Sequence, residues 1–181
     1  MSDETERLID RIIDRIVTHE GGFVDHTADR GGPTKYGITA ATLARWRGVP
    51  EDEVSVDDIR RLSLEEARAI LRRLYIEDPR IDRLPSHLIE PMADTAVLMG
   101  PRRAVRMLQM ALSRMGYEIA VDGIIGPQTA HVAAIASPRM ARRLLIVERI
   151  GHHIDRIRAS PDQYVFARGW IARALDLMDQ A

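Results

Sequence analysis

Apolar residues recur every three or four positions through much of this chain, and that spacing favours amphipathic helices. The clearest case is the segment 3–19, and the segments 105–115, 138–158 and 165–179 repeat the pattern. Aromatic residues make up only 4% of the chain, which disfavours a β-sandwich or barrel. The sequence therefore predicts a mostly α protein.

Capping residues, glycines and prolines divide the helical pattern. Thr39 is a predicted N-cap for a helix ending before Gly48, and Ser63–Glu66 has the spacing of a capping box. Two segments, 21–38 and Tyr117–Gln128, are rich in turn-forming residues instead. We expect both to be functional loops, the first with a short β-hairpin.

The chain has 181 residues, enough for one domain with a true core or one domain with a small appendage. No linker of useful length lies near residue 100, so we expect the two halves to pack together.

The chain contains no cysteine, which excludes a disulfide framework and a thiol nucleophile. His152 and His153 do not suggest a metal site, because adjacent helical residues point to different faces. No dinucleotide or phosphate-loop motif is present. We therefore predict neither a metal nor an organic cofactor.

The formal net charge of -1 conceals an acidic first half and a basic second half. A basic half suits an anionic polymer, although arginines on solvated helix faces are the simpler explanation. No nucleic-acid recognition motif accompanies the arginines, so we predict no nucleic-acid partner. The oligomeric state stays open.

No apolar stretch approaches the length of a membrane span, so no stable membrane insertion is predicted. The first residues, MSDETERLIDRIIDRIV, also lack the uninterrupted apolar core of a signal peptide. We therefore expect a protein made in the cytoplasm without a signal peptide. If it acts outside the cytoplasm, a separate release route is needed.

Two carboxylates near the end of the first helix occupy contrasting positions. Glu20 follows the apolar residues of that helix and precedes Gly21-Gly22, whereas Asp29 lies in a polar loop. Partial burial favours the protonated form of a carboxyl group, and a polar loop favours the ionised form. Glycoside hydrolysis uses such a pair, and Thr34 could hold the attacking water. A glutamate before two glycines is also a common helix stop, so these residues alone favour a structural role.

The longer sequence pattern strengthens the functional interpretation. His-Glu-Gly-Gly-Phe, Asp-x-Gly-Gly-x-Thr and Tyr-Gly-Ile-Thr resemble the signature of the glycoside hydrolase family 108 N-acetylmuramidases. The family includes phage-type endolysins and muramidases of toxin or particle release. Val121–Thr129 and Phe166–Trp170 resemble the peptidoglycan-binding region that usually follows. These similarities extend over nearly the whole chain.

The resemblance implies a lysozyme-like helical fold whose short β-hairpin or loop carries the active site. It implies a catalytic region at 1–100 and a helical peptidoglycan-binding region at 101–181. Glu20, Asp29 and Thr34 are the implied catalytic residues. The expected contacts to the substrate, peptidoglycan glycan strands, are the four residues Tyr36, His19, Asp94 and Trp170.

Some positions depart from the family pattern. Ile76 stands where the family commonly has tryptophan, and Ala93 replaces a frequent aromatic residue. Leu98-Met99 stands where related chains often show a polar residue, and Arg30 replaces the usual proline after Asp29. These departures affect expected sugar contacts and the loop angle, and they leave Glu20 intact.

The leading hypothesis is a lysozyme that cleaves the β-1,4 bond between N-acetylmuramic acid and N-acetylglucosamine, for cell lysis or particle or toxin release. It would reach the wall by a holin-like or other route. A lytic transglycosylase acting through Glu20 alone is one alternative. A catalytically inactive wall-binding component of a phage-like particle is another. A nucleic-acid-binding helical protein ranks last.

Overall fold

The computed structural model describes residues 3–24 and 32–178. The chain divides into two compact units, Met1–Asp78 and Pro79–Ala181. The unit boundary in sequence thus lies before residue 100, where the sequence pattern places the start of the wall-binding region. That functional division stays a prediction.

The first unit is built from four helices and one small hairpin within its described residues. Their bounds are α1 (Asp3–Glu20), β1 (Thr34–Lys35), β2 (Ile38–Thr39), α2 (Ala40–Arg47), α3 (Val56–Arg61) and α4 (Leu64–Arg72). A 3₁₀ turn spans Glu51–Glu53 and a π-helical turn spans Arg73–Glu77. The predicted mostly α fold and the short hairpin are confirmed.

Helix α1 forms because its apolar residues fall on one face and acidic residues occupy its first turn. The buried stripe is Ile9, Ile12, Ile13, Ile16 and Val17. Helix α4 packs against α1. Arg72 of α4 bridges to Glu6 and Asp10 of α1 at 2.7 and 2.6 Å. These pairs lie near the surface, so burial of the apolar stripe contributes more to stability.

Both predicted N-cap side chains are in place, while the full reciprocal capping box forms at Ser55 and Asp58 rather than at Ser63 and Glu66. The side-chain oxygens of Thr39 and Ser63 each accept from a backbone N–H three residues further on. Gly48 ends α2 with a φ of 70°, a left-handed conformation that glycine adopts without strain. Helix α4 ends at Arg72, where the chain widens into the π-helical turn.

The second unit contains five α-helices among its described residues. They are α5 (Ser86–Met99), α6 (Pro101–Arg114), α7 (Pro127–Ile135), α8 (Pro138–Ala159) and α9 (Ala167–Asp176). Helix α8 is central, since it packs against α5, α6 and α9. Helix α9 begins after residue 165, the predicted start, because a 3₁₀ turn occupies Pro161–Phe166.

A buried ion-pair cluster connects three helices of this unit. Asp94 of α5 accepts a hydrogen bond from Arg149 Nη1 of α8 at 2.6 Å. Arg173 of α9 donates to both carboxylate oxygens of Asp94. Its Nε lies 3.2 Å from Oδ1 and 3.0 Å from Oδ2, and its Nη2 lies 2.8 Å from Oδ2. Arg149 is fully buried and Asp94 is 9% exposed. A paired guanidinium can remain buried, whereas loss of its partner is costly.

No helix in the described part of the chain combines the length and the apolar character needed to cross a membrane.

We expect Asp94→Asn to lower the free energy of unfolding by about 3 kcal/mol, because the buried guanidinium of Arg149 loses its charge partner. Urea unfolding followed by circular dichroism measures the change. Asp162→Asn, at an exposed carboxylate of the same unit, is the matched control and should have little effect. Unchanged stability with weakened wall binding would instead make Asp94 a substrate contact.

Candidate active site

Glu20 is the last residue of α1, at the point where the helix leaves the core. The residue is partly exposed, while its Oε1 atom is buried. Gly21 follows with a φ of 76° and donates its N–H to Val17 O at 3.1 Å. This left-handed residue ends the helix and turns the chain away, so the Glu20 carboxyl stands at the rim of the first unit's core.

The hairpin that follows has a tight two-residue turn. Strands β1 and β2 are antiparallel, with Thr34 opposite Thr39 and Lys35 opposite Ile38. Tyr36 and Gly37 connect them with φ values of 55° and 77°. Positive φ at both central residues is the type I′ geometry, which matches the twist of the flanking strands. Ile38 is fully buried, so the hairpin is anchored in the core.

Backbone hydrogen bonds hold this hairpin against the end of α1. Tyr36 N–H donates to Gly21 O at 3.1 Å. Val24 and Thr34 exchange two backbone hydrogen bonds of 2.8 and 2.9 Å. The residues just after Glu20 therefore pair with the hairpin, and the position of the hairpin fixes the surroundings of Glu20.

Gly37 lies directly against the Glu20 side chain. A Cβ atom at position 37 would lie 2.9 Å from Glu20 Cγ and 3.5 Å from its Cδ. Carbon atoms in proteins do not pack that closely, so any side chain at Gly37 would displace Glu20 or the turn. Glycine is required here for two reasons: the positive φ and the space occupied by Glu20.

Cations and aromatic rings border the other side of the hairpin. Lys35 Nζ donates to Arg60 O of α3 at 2.7 Å and lies 5.4 Å from the centroid of the Tyr36 ring. The Arg60 guanidinium lies 4.8 Å from the centroid of the Phe23 ring. These contacts connect the hairpin and Phe23 to α3, and Arg60 is itself paired with Asp57 at 2.8 Å.

The structure groups several of the predicted site residues. Thr34 lies on β1, and Tyr36 is partly exposed at the turn that touches Gly21. His19 is exposed on the last turn of α1, next to Glu20. Asp29 falls outside the described residues. Thr34 and Tyr36 thus share one hairpin beside Glu20, as the sequence pattern suggests.

The other two predicted contacts lie in the second unit and are engaged by neighbouring side chains. Asp94 belongs to the buried cluster with Arg149 and Arg173. The Trp170 ring stacks on His153 with centroids 4.8 Å apart, and the Arg156 guanidinium lies 4.8 Å from its centroid. These contacts support packing roles, and sugar contact by either residue stays a prediction.

His153 beneath Trp170 is 1% exposed. Burial, together with Arg149, His152 and Arg156, lowers the pKa of His153 to about 4. In the unfolded chain a histidine has a pKa near 6.5. The unfolded state therefore binds an extra proton between these values, and stability falls as pH decreases from about 6.5 towards 4.

Replacing His153 with Phe should remove this part of the pH dependence while keeping an aromatic ring against Trp170. Between pH 7.5 and 5.0 we expect wild type to lose about 2 kcal/mol more unfolding free energy than His153→Phe. Urea titrations at both pH values measure the difference. His131→Phe, at an exposed histidine of α7, should behave like wild type. Equal pH dependence of wild type and His153→Phe would contradict the assignment.

The residues described by the structure contain no cluster of three or more histidines and carboxylates suited to a metal ion. What the site offers is a partly buried carboxyl in a fixed backbone frame.

Two features of the site went unrecognised in the sequence. One is the contact of Gly37 with Glu20, and the other is the bond from Lys35 to the Arg60 carbonyl. A Tyr-Gly pair after Thr34-Lys35 signals a hairpin turn, but no sequence pattern shows which side chain lies against its glycine. The lone lysine gave no signal, because its partner is a backbone oxygen 25 positions away.

Comparison with known proteins identifies family models that match two parts of the chain. Residues 13–100 match the family model described as Glycosyl hydrolase 108. Residues 13–100 belong to that family. Residues 103–175 match a second model, described as Predicted Peptidoglycan domain. The two matches together support a peptidoglycan hydrolase, and the family suggested by the sequence motifs is confirmed.

A solved structure, titled "Structure of Brucella abortus SagA", supports the fold. It is 28% identical to this chain, with a TM-score of 0.84. The match covers 97% of this chain and 94% of that one. The mostly α, lysozyme-like fold is thereby confirmed. No curated protein matches the sequence.

Proposed function

We propose that this hydrolase is an N-acetylmuramidase that cleaves the β-1,4 bond between N-acetylmuramic acid and N-acetylglucosamine. The observation that carries the proposal is the placement of Glu20 at the rim of the core, packed against Gly37 within a hydrogen-bonded frame. A carboxyl held at a fixed position on the rim of the core can be presented to the glycosidic oxygen as a proton donor.

Asp29 is proposed to activate the attacking water together with Thr34. Asp29 belongs to the segment between Val24 and Gly32, and Thr34 follows that segment on β1. The backbone bonds between Val24 and Thr34 fix the point where the chain returns to the hairpin. Attack from the face opposite the leaving oxygen would invert the anomeric carbon.

Tyr36 and His19 are proposed to contact the glycan on either side of Glu20 along the chain. Tyr36 is held at the hairpin turn beside Lys35, and its partly exposed ring offers a face to a sugar. His19 is exposed on the helix end that presents Glu20. Binding by both would place the scissile bond over the Glu20 carboxyl.

The biological role we propose is wall degradation for cell lysis or for release of a particle or toxin. A peptidoglycan hydrolase acts on the wall, so we propose that the protein reaches it through a holin-like or other release route.

Glu20→Gln tests the proposed general acid, because the amide keeps the shape of the carboxyl and cannot donate the proton. We expect release of reducing sugar from purified peptidoglycan to fall by roughly 100-fold or more. Glu65→Gln, at an exposed carboxylate of α4, is the control and should retain full activity. Equal activity of wild type and Glu20→Gln would exclude Glu20 as the acid.

Mass analysis of the fragments distinguishes the reaction types. Hydrated N-acetylmuramic ends support the muramidase, whereas anhydro ends, lighter by one water, would make the protein a lytic transglycosylase. Wall binding without any turnover would make it an inactive binding component.

Gly37→Ala tests how closely the activity depends on the position of Glu20. The added Cβ atom would displace the Glu20 side chain, so we expect kcat to fall on the order of 100-fold. Gly48→Ala is the matched control, with a similar φ and nothing within 4 Å of the new Cβ. Both variants should lose about 1 kcal/mol of stability from the left-handed φ. Full activity of folded Gly37→Ala would refute the positioning role.

A further inference from the structure

The second unit contains a groove of about 840 Å³ between α6 and α8. Its lining includes four arginines, Arg102, Arg103, Arg106 and Arg114, and three methionines, Met99, Met107 and Met110. Two acids, Glu148 and Asp155, also line it. The volume falls within the usual range of ligand pockets. The lining combines an apolar floor of methionines with a rim of charged side chains.

Positive charge in the groove exceeds negative charge. Arg114 is paired with Glu148 at 2.7 Å. Within residues 3–24 and 32–178, Arg102, Arg103 and Arg106 form no ion pair, although Arg102 lies near enough to Asp122 to help lower the pKa of that carboxyl. All three arginines are exposed. Burial, with Arg103 and Arg156 nearby, lowers the pKa of His152 in the lining, so this histidine is mainly neutral at pH 7.

Arg102 and Arg103 also lie in the first turn of α6, where the helix dipole disfavours cations. Helix α6 begins at Pro101 with no acidic residue in its first turn and no side-chain cap. The N-terminus of a helix carries partial positive charge, which Arg102 and Arg103 increase. An anion bound in the groove would offset this accumulation of charge.

A hydrogen-bonded loop holds the arginine stems in place. Gln109 of α6 donates to Asp122 Oδ1 at 2.8 Å and accepts from Gly123 N–H at 2.8 Å. A Cβ atom at Gly123 would lie 2.6 Å from Arg102 Cγ and 3.2 Å from Arg106 Cγ. The loop therefore packs tightly against both stems and limits their freedom, which lowers the entropic cost of binding a ligand.

We propose that the groove between α6 and α8 binds the anionic stem peptide of peptidoglycan. This inference rests on the proposed function, since it assumes the wall as substrate. Arginines of the rim bind the carboxylates of the peptide, and the methionine floor contacts its aliphatic parts. In this proposal the second unit binds the peptide of the wall, while the first unit acts on the glycan.

A short peptide fits these observations better than a nucleic acid does. The groove has a methionine floor and two carboxylates, which suit a ligand with aliphatic and amino groups as well as carboxylates. The phosphate backbone of a nucleic acid is instead bound mainly by cationic side chains, which the two carboxylates of this lining would oppose.

The test uses the full chain. The probe is the synthetic tetrapeptide L-Ala–D-γ-Glu–meso-diaminopimelate–D-Ala, titrated by calorimetry. We expect Arg103→Gln with Arg106→Gln to raise its Kd by about tenfold or more, because two charge-assisted contacts are lost. Arg139→Gln with Arg143→Gln, at exposed arginines of α8 outside the groove, is the matched control and should leave the Kd unchanged.

A second probe distinguishes recognition of the peptide carboxylates from nonspecific binding. The same tetrapeptide with amidated carboxyl groups should bind at least about tenfold more weakly to the unaltered groove. Equal Kd values for the groove and control variants, or for the free and amidated peptides, would overturn the proposal. So would displacement of the peptide by duplex DNA at tenfold lower concentration.

The proposed function is tested independently. If the groove variants, made with Glu20 intact, bind the tetrapeptide as wild type does while sugar release persists, the groove proposal fails and the muramidase stands. If the peptide binds as expected but no hydrated muramic ends form, the muramidase assignment fails and peptide binding stands.

Discussion

The contact between Gly37 and Glu20 is the constraint on which the first unit's site depends. A carboxyl at a helix end is mobile unless something restricts it, and here the restriction comes from a turn glycine at van der Waals distance. The Tyr36–Gly21 bond and the Val24–Thr34 pair hold that turn against α1. The backbone frame thus determines where the carboxyl can lie, which is the condition for a general acid to meet a glycosidic oxygen.

The second unit uses charge differently. Its centre contains Asp94 between two guanidinium groups, which joins α5, α8 and α9 through one carboxylate. A buried arginine tolerates such a position only with a partner, so this cluster specifies one packing of the three helices. Near the first turn of α6, by contrast, three exposed arginines remain without ion-pair partners among the described residues. The buried ion pairs thus fix the packing of three helices, whereas the exposed arginines of α6 are available to bind a ligand.

Much of the fold could be predicted from sequence because its signals are local. The apolar stripe of α1, the Thr39 cap and Gly48 act within one or two helical turns, and all three have the expected roles. The π-helical turn after Arg72 and the 3₁₀ turn at Pro161–Phe166 were not predicted, since packing rather than local propensity selects them. Glu20, Thr34 and Tyr36 were identified through the motif, and the structure places the latter two on the hairpin held against the end of α1.

The sequence by itself determined the helical class, the hairpin, the family and the glutamate at the end of α1, because periodicity, caps and motifs are properties of neighbouring residues. Tertiary structure alone decided that Gly37 touches Glu20 and that Arg149 is buried against Asp94. The same is true of the groove formed by α6 and α8. Each of these depends on a distance between residues far apart in the chain, and such a distance is set by packing the whole unit rather than by any local preference.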